Sequence, residues 1–402
     1  MNSIQNETTT NSEALISALK KKRPHWGDIL LLCVIFLAAS VYLPLISVLP
    51  LQPQSKDAFS FLICALSVLA QARLSKKISV GIGQATLLLL IGLLFGGPHI
   101  AAIIGATASS ACIFCWLALT TASPLVLLLP LISYGGASLA IASPFTGALS
   151  LISMPMALLL LISVRKLLSK VKAICLLSAG LLLSAILAAV LYFLLVHESI
   201  TVELLRASID SVRSALANEI STRLALLEGD MGILPVGRDY SEFVNTLANE
   251  LVNHLPAILL MITNGIALIT HSAMVRLLLS QNLSKETLTP LAIFDMSAVS
   301  AVVFLLSMLL SLFMDSPDSA LALAVCENLY LILIPGMLIS LWMYLNVWLL
   351  AKMPSCFGIL LYLAVPLLLF QFPSVLLPIA AVIGAVLLLI GKIRRELHQR
   401  KS

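Results

Sequence analysis

The sequence predicts an all-α polytopic membrane protein with about twelve spans in two bundles, and composition and hydropathy are the reasons. Of the 402 residues, 60% are hydrophobic and 11% are charged, whereas soluble domains have roughly 45–50% apolar and roughly 25% charged residues. Apolar runs of about 20 residues recur, and each can cross a hydrocarbon core about 30 Å thick. A helix satisfies its own backbone in lipid, and the alternating segments of a barrel are not seen.

Polar stretches divide the chain into five predicted regions. Residues 1–27 form a polar tail, and residues 28–196 form a first bundle of about seven spans. Residues 197–250 form a helical segment outside the cytoplasm, residues 251–391 a second bundle of about five spans, and residues 392–402 a basic tail. The net charge of +5 comes from the tails and short loops. This distribution encodes orientation, so both termini are predicted cytoplasmic and nucleic acid is not a predicted partner.

The predicted spans follow from the apolar runs and the basic loops between them. They cover residues 28–50, 57–72, 78–96, 99–119, 124–142, 144–164, 173–196, 251–279, 290–314, 321–350, 356–370 and 375–390. Twelve spans place every basic loop on the cytoplasmic side. Pro366 and Pro373 interrupt the last apolar stretch, so a count of ten stays open.

The polar segment is predicted to begin with an amphipathic helix. Acidic residues outnumber basic ones here, and apolar residues recur from Val202 to Leu227 at spacings of three and four. The helix could lie on the membrane, pack on its own protein or meet a partner; its mixed charges favour packing on its own protein. Gly229 is a predicted stop. Asp239 then resembles an N-cap, and the helix that begins there is expected to run straight into the span at 251–279.

Polar residues inside predicted spans are the candidate functional residues. An ionisable group at mid-bilayer costs at least about 2.5–3.5 kcal/mol, so each needs a reason to be there. The candidates are Asn264, His271, Asp295, Glu327 and Asn328, and Gln84 lies in the third span. The sharper hypothesis is a cavity lined by Asn264, His271, Glu327 and Asn328. The alternatives are hydrated interfacial acids and amides that only join helices.

Glycine and proline residues predict places where helices pack closely or bend. The candidates are Gly92, Gly96, Gly135, Gly136, Pro335 and Gly336. Gly92 and Gly96 form a GxxxG packing motif, and Pro335 is expected to kink its helix. Interrupted helices are how transporters build solute sites, although glycine and proline are also frequent in other membrane helices.

Enzymatic motifs are absent from the sequence. There is no Walker-type loop, no HExxH and no nucleophile elbow, so we predict a protein that is not an enzyme, with no cofactor and no metal. The seven cysteines lie in apolar segments. Cys112 and Cys115 form a CxxC without a second Cys or His pair nearby in sequence, and we interpret them as small core residues and not as a redox or metal site.

The second half resembles a known family. The residues that carry the resemblance are His254-Leu255-Pro256-Ala257, Met274-Val275-Arg276, Leu288-Thr289-Pro290-Leu291 with Phe294 and Asp295, and Glu327-Asn328-Leu329 with Pro335-Gly336. This pattern resembles the YybS-like family of bacterial membrane proteins, which implies a place in the bacterial cytoplasmic (inner) membrane and no catalytic residues. The compact, Gly-rich first half resembles in topology the substrate-binding subunits of energy-coupling-factor vitamin transporters.

Two functions follow as hypotheses. The leading one is a component that binds or transports a small solute and has no ATPase of its own. The alternative is a non-catalytic scaffold that recruits an envelope partner through the helix of the polar segment. The expected partners are the lipid bilayer, a small solute, and another membrane or envelope protein.

Overall fold

The computed structural model describes eleven helices and a few single positions between them. The described residues are 17, 53–75, 78, 81, 82, 84, 85, 88, 98–121, 153–197, 201–231, 240–280, 285–314, 320–352 and 373–399. The predicted spans at 28–50, 124–142 and 356–370 lie outside these residues, as do Gly92, Gly96, Gly135 and Gly136. No strand occurs among the described residues, so the prediction of an all-α protein is confirmed for that part of the chain.

The helices follow one another along the chain with short connections. They are α1 (Pro53–Ser75), α2 (Pro98–Thr121), α3 (Ser153–Arg165), α4 (Lys170–His197), α5 (Val202–Met231), α6 (Tyr240–Asn253), α7 (Leu255–Ser280), α8 (Lys285–Ala292), α9 (Ala298–Phe313), α10 (Ala320–Lys352) and α11 (Pro373–Gln399). α5 continues past Gly229, the predicted stop.

Four helices in the described part are long and apolar enough to cross a membrane. Their spanning stretches are Lys170–Leu187, Leu255–Ser280, Leu321–Leu345 and Leu376–Leu397. Shorter apolar stretches lie at Thr107–Thr120, Pro155–Arg165 and Ala298–Phe313. The chain is therefore a membrane protein, as predicted.

The chain divides into two compact units that differ from the two predicted bundles. Unit 1 comprises Met1–Ile200 and Ile262–Asp295, and unit 2 comprises Thr201–Met261 and Met296–Ser402. Residues 262–295 were predicted in the second bundle. They belong to unit 1 because α7 packs its buried side chains, Met274 among them, into a core shared with α2, α3 and α4.

Unit 1 is built around buried apolar side chains. The largest of them come from three helices, with Phe114 on α2, Leu160 on α3 and Leu177 on α4. Hydrogen bonds add to this packing: the Ser178 and Thr263 hydroxyl oxygens are 2.8 Å apart and join α4 to α7. Such interhelical bonds are each worth about 0.6 kcal/mol on average, so apolar packing dominates.

A tight turn joins α3 to α4. Leu167 has a φ of 48°, and the Leu168 N–H donates to the Ser163 carbonyl at 3.0 Å while the Leu167 N–H donates to Val164 at 3.2 Å. This is the Schellman arrangement that ends many helices, usually with glycine at the left-handed position. Here the Leu167 side chain is buried, so apolar burial offsets the backbone strain.

In unit 2, helices α9, α10 and α11 pack on one another, and α5 packs on α6. A Cβ added at Gly384 of α11 would collide with the Met337 carbonyl of α10, and one added at Gly391 would collide with the Tyr344 hydroxyl. Contacts advance along both helices in the same direction, so α10 and α11 run parallel. Gly336 similarly leaves space for the Met296 sulfur.

The predicted span at 290–314 is wrong, because two helices occupy this stretch with a non-helical segment at 293–297 between them. The Ile293 carbonyl accepts a hydrogen bond from the Lys170 N–H at 3.3 Å, so it is engaged outside its own helix. Ser297 then starts α9 as an N-cap, its hydroxyl accepting from the Ser300 N–H at 3.1 Å. Asp295 therefore lies in this connection and not inside a spanning helix.

Two further boundaries differ from the predictions. The predicted basic tail at 392–402 is helical as far as Gln399, since α11 continues through Arg394 and Arg395. Arginine and lysine are good helix formers, and cations are favourable near a helix C-terminus. The helix predicted to run from Asp239 into the span at 251–279 is interrupted at His254.

Gly384→Ala should destabilise the protein. The new methyl group would meet the Met337 carbonyl carbon at 3.0 Å and the Leu341 Cβ at 3.1 Å, and backbone atoms cannot rotate away. Overpacking of this kind costs about 1–3 kcal/mol. Thermal unfolding of the detergent-purified chain measures the loss.

Gly265→Ala is the matched control for this change. No atom lies within 4 Å of the position that its Cβ would take. Alanine is favoured over glycine in a helix by about 0.5–1 kcal/mol, so this variant should be neutral or stabilised. Equal losses in both variants would contradict the close approach of α10 and α11.

Candidate functional site at a helix break

The break between α6 and α7 is the most distinctive polar feature of unit 2. Pro256 has no N–H to donate, and its ring disfavours helical conformation in the residue before it. The chain stays hydrogen-bonded through the break: the His254 N–H donates to the Glu250 carbonyl and the Ile258 N–H donates to the His254 carbonyl, both at 3.0 Å. The interruption is therefore local.

The side-chain amide of Asn328 is inserted into this break. Its Oδ1 accepts from the Ala257 N–H at 3.0 Å, and its Nδ2 donates to the Asn253 carbonyl at 3.2 Å. In an uninterrupted α-helix the Ala257 N–H would donate directly to the Asn253 carbonyl. The amide thus replaces one backbone hydrogen bond by two.

The orientation of the Asn328 amide is fixed from its own helix as well. Nδ2 also donates to the Ala324 carbonyl at 2.8 Å, one turn earlier on α10. Ala257 is fully buried, so its N–H would be left unpaired without Asn328. Leaving a buried donor unpaired costs about 1–3 kcal/mol, which makes this amide a positioning group for the break.

An ionisable pair lies at the same break. His254 Nε2 and Glu327 Oε2 are 3.8 Å apart, and the two side chains are 28% and 32% exposed. The separation is longer than a good hydrogen bond, and the pair is ionic only when the imidazole is protonated. His254 Nδ1 is buried without a hydrogen-bond partner among the described residues. Both side chains can therefore form further hydrogen bonds.

The other sequence-predicted residues belong to unit 1. His271 is fully buried, and neither ring nitrogen has a hydrogen-bond partner among the described residues. Asn264 is half-buried on the same helix, and Asp295 is exposed in the connection before α9. The structure brings Glu327 and Asn328 together with His254 within unit 2. The convergence of all the predicted residues on one cavity stays a prediction.

Three residues were missed by reasoning from the sequence. His254 stood next to a proline that marks the break, but only as part of a family resemblance. Gln71 and Ser109 lie buried in unit 1 with unpaired polar atoms. A single glutamine or serine in an apolar helix is too common to have signalled a site.

Metal and redox chemistry find no support in the described part of the chain. It contains no group of three or more His, Cys, Asp or Glu side chains arranged to hold a metal ion. Cys112 and Cys115 are both fully buried, and the Cys112 thiol donates to the Thr270 carbonyl at 3.4 Å. Both cysteines lie in the apolar core of unit 1.

Comparisons with models of protein families, with curated proteins and with solved structures return no match. The resemblance to the YybS-like family therefore stays a prediction. The function has to be argued from the residues themselves.

Asn328→Leu should destabilise the protein by about 1–3 kcal/mol, because it leaves the buried Ala257 N–H unpaired. Asn328→Asp keeps an acceptor for that N–H and loses only the donor to Asn253, so its loss should be smaller. Thermal unfolding of the purified chain ranks the two variants. If Leu and Asp proved equally harmless, the amide would have no role in holding the break.

Proposed function

We propose that this protein is a multi-pass component of a bacterial cytoplasmic membrane that binds or conducts a small solute without an ATPase of its own. The observation that carries the proposal is the helix break, with Asn328 inserted and the His254–Glu327 pair beside it. Non-helical backbone at membrane depth is tolerated where it is buried in protein or lines a cavity. Transporters place solute sites at such discontinuous helices.

The chemistry of the break suggests how a solute would be held. The Asn328 amide is engaged by backbone groups, so its role is to position the break. Glu327 is free to accept hydrogen bonds from a donor on the solute, and His254 offers a ring nitrogen beside it. We therefore expect a solute with an amine or hydroxyl donor.

A topology of twelve spans with both termini in the cytoplasm belongs to the same proposal. The parallel packing of α10 and α11 supports it. Two parallel spans need an odd number of crossings between them, which agrees with a single predicted span at 356–370. Membership of the YybS-like family is part of this proposal as well.

A second candidate function is a scaffold for an envelope partner. One observation favours it: Val202, Leu205, Ile209 and Val212, which recur on the apolar stripe of α5, are between 43% and 67% exposed. The C-terminal part of α5 is more buried, with Leu216 and Ile220 half-buried. The stripe is therefore only partly covered by its own chain.

Cysteine labelling tests the topology. Ser214 on α5 and Lys166 after α3 are both exposed. In intact cells, a membrane-impermeant maleimide should label Ser214→Cys, and should label Lys166→Cys only after permeabilisation. The wild-type chain reports the background from native cysteines. Labelling of both variants in intact cells would overturn the proposed orientation.

A ligand screen tests the solute function. The unfolding temperature of the purified chain is measured against vitamins, nucleosides and amino acids. A ligand present at a hundredfold excess over its Kd stabilises the folded state by about 2.7 kcal/mol. Glu327→Gln should abolish this gain, because the amide removes the acceptor charge while keeping the shape. Glu203→Gln, on exposed α5, should retain it.

The same screen separates the two functions. A variant with Leu205→Ser and Ile209→Ser should bind solute like the wild type if the protein is a transporter component. No stabilisation by any solute, together with loss of an in-cell crosslinked partner in this variant, would favour the scaffold.

A further inference from the structure

Unit 1 contains buried polar atoms that nothing in the described part of the chain satisfies. They are Gln71 Nε2 and Oε1, Gln84 Nε2 and Ser109 Oγ. The three side chains are 1%, 3% and 2% exposed, respectively. More than about 90% of buried polar groups in native proteins are paired, so a concentration of unpaired ones requires an explanation. We call these three residues the interior polar set.

Ser109 faces the interior of unit 1 along one side of α2. Gly105, Ser109 and Cys112 are spaced by four and three residues, which places them on one helical face. At one end of this face, the Leu88 Cδ2 lies 2.8 Å from where a Gly105 Cβ would be. At the other end, Cys112 bonds to the Thr270 carbonyl of α7. Ser109 lies between these two contacts.

Gln71 reaches the same face from α1. Its side chain lies beside the Cys112 thiol. Sulfur is a weak hydrogen-bond partner, and neither amide atom forms a hydrogen bond. Gln71 thus presents both its donor and its acceptor next to Ser109.

Gln84 completes the set from the segment between α1 and α2. The position of a Gly81 Cβ is 2.8 Å from Ala72 Cβ, near the end of α1, whereas Leu88 contacts Gly105. Described positions 81 and 88 therefore run along α2 from the level of Gln71 towards Gly105. Gln84 lies between them, one turn from Leu88 and on the same face, which brings it to the level of Ser109.

The surroundings of the interior polar set are apolar and uncharged. Leu88, Ala101 and Ile104 form a buried cluster with Val68 and Ile266 packed against it. Each unpaired buried group costs about 1–3 kcal/mol, so the set is expensive unless a ligand pairs with it. An ion is a poor candidate, because a buried charge needs a paired charge. The ligand should therefore be neutral.

The free amide of Gln71 narrows the ligand class further. A primary amide offers one acceptor and one donor side by side. A cyclic amide, such as a lactam or a pyrimidine ring, carries a carbonyl and an N–H side by side on one edge, and the two edges pair through two parallel hydrogen bonds.

We propose that the interior polar set of unit 1 binds a small uncharged solute through a cyclic-amide edge. Gln71 pairs with that edge, and Gln84 and Ser109 supply further hydrogen bonds. This site stands apart from the His254–Glu327 pair of unit 2 and goes beyond the proposed function.

Two pyrimidines and one variant test the proposal on the full chain in lipid nanodiscs. Uracil should raise the unfolding temperature, and 1,3-dimethyluracil, which lacks both N–H donors, should not. Gln71→Leu should abolish the response to uracil. It should also raise the ligand-free unfolding temperature, because it removes two unpaired polar atoms without changing the size of the side chain much.

Two further variants control for general effects on the fold. Ser163→Ala changes a buried serine of the same unit whose hydroxyl already donates to the Leu160 carbonyl at 2.8 Å; it should leave uracil binding intact. Ser109→Ala should weaken uracil binding several-fold with the fold preserved.

Three results would overturn the proposal. A lower ligand-free unfolding temperature in Gln71→Leu would show that the amide is already paired, by water or by the chain. Equal responses to the two pyrimidines, including none, would exclude recognition through a cyclic-amide edge. Loss of the uracil response in Glu327→Gln with retention in Gln71→Leu would place the ligand at the helix break, so the two proposals can fail separately.

Discussion

Lipid offers no hydrogen bonds, and most of the irregular features of this protein follow from that single constraint. Wherever a helix ends or breaks, the freed N–H and C=O groups have to find partners within the chain. Asn328 supplies them at the α6–α7 break. Ser297 supplies one at the start of α9, and the turn after α3 closes its last carbonyls through Leu167 and Leu168. Three local solutions thus keep the backbone satisfied.

The same solvent also changes what holds the helices together. Between helices in lipid there is little hydrophobic driving force, so close van der Waals approach matters more. Gly336 and Gly384 provide it in unit 2, where a methyl group would collide with Met296 and with the backbone of α10, respectively. Unit 1 relies instead on interlocking large side chains such as Phe114 and Met274. The two units therefore reach tight packing by different means.

Reasoning from the sequence works well for helices and poorly for what happens at their ends. An apolar run of sufficient length predicts a helix by itself, and α2, α4 and α10 lie where such runs predict them. The break at 293–297 depends on the Ile293 carbonyl meeting the Lys170 N–H, and this contact between distant residues leaves no local pattern. The polarity of Glu327 and Asn328 was visible in the sequence. Their partner His254 was not, since its role depends on packing between α6, α7 and α10.

The Asn328 bridge also orders events during synthesis of the protein. The Ala257 N–H waits for a partner that lies 71 residues later in the chain. At roughly 5–20 residues per second, the ribosome makes that partner about 4–14 s afterwards. Until α10 arrives, the start of α7 has an unpaired backbone group and gains from staying near water or the insertion machinery. The amide that completes this helix thus couples the settling of one membrane segment to the arrival of another.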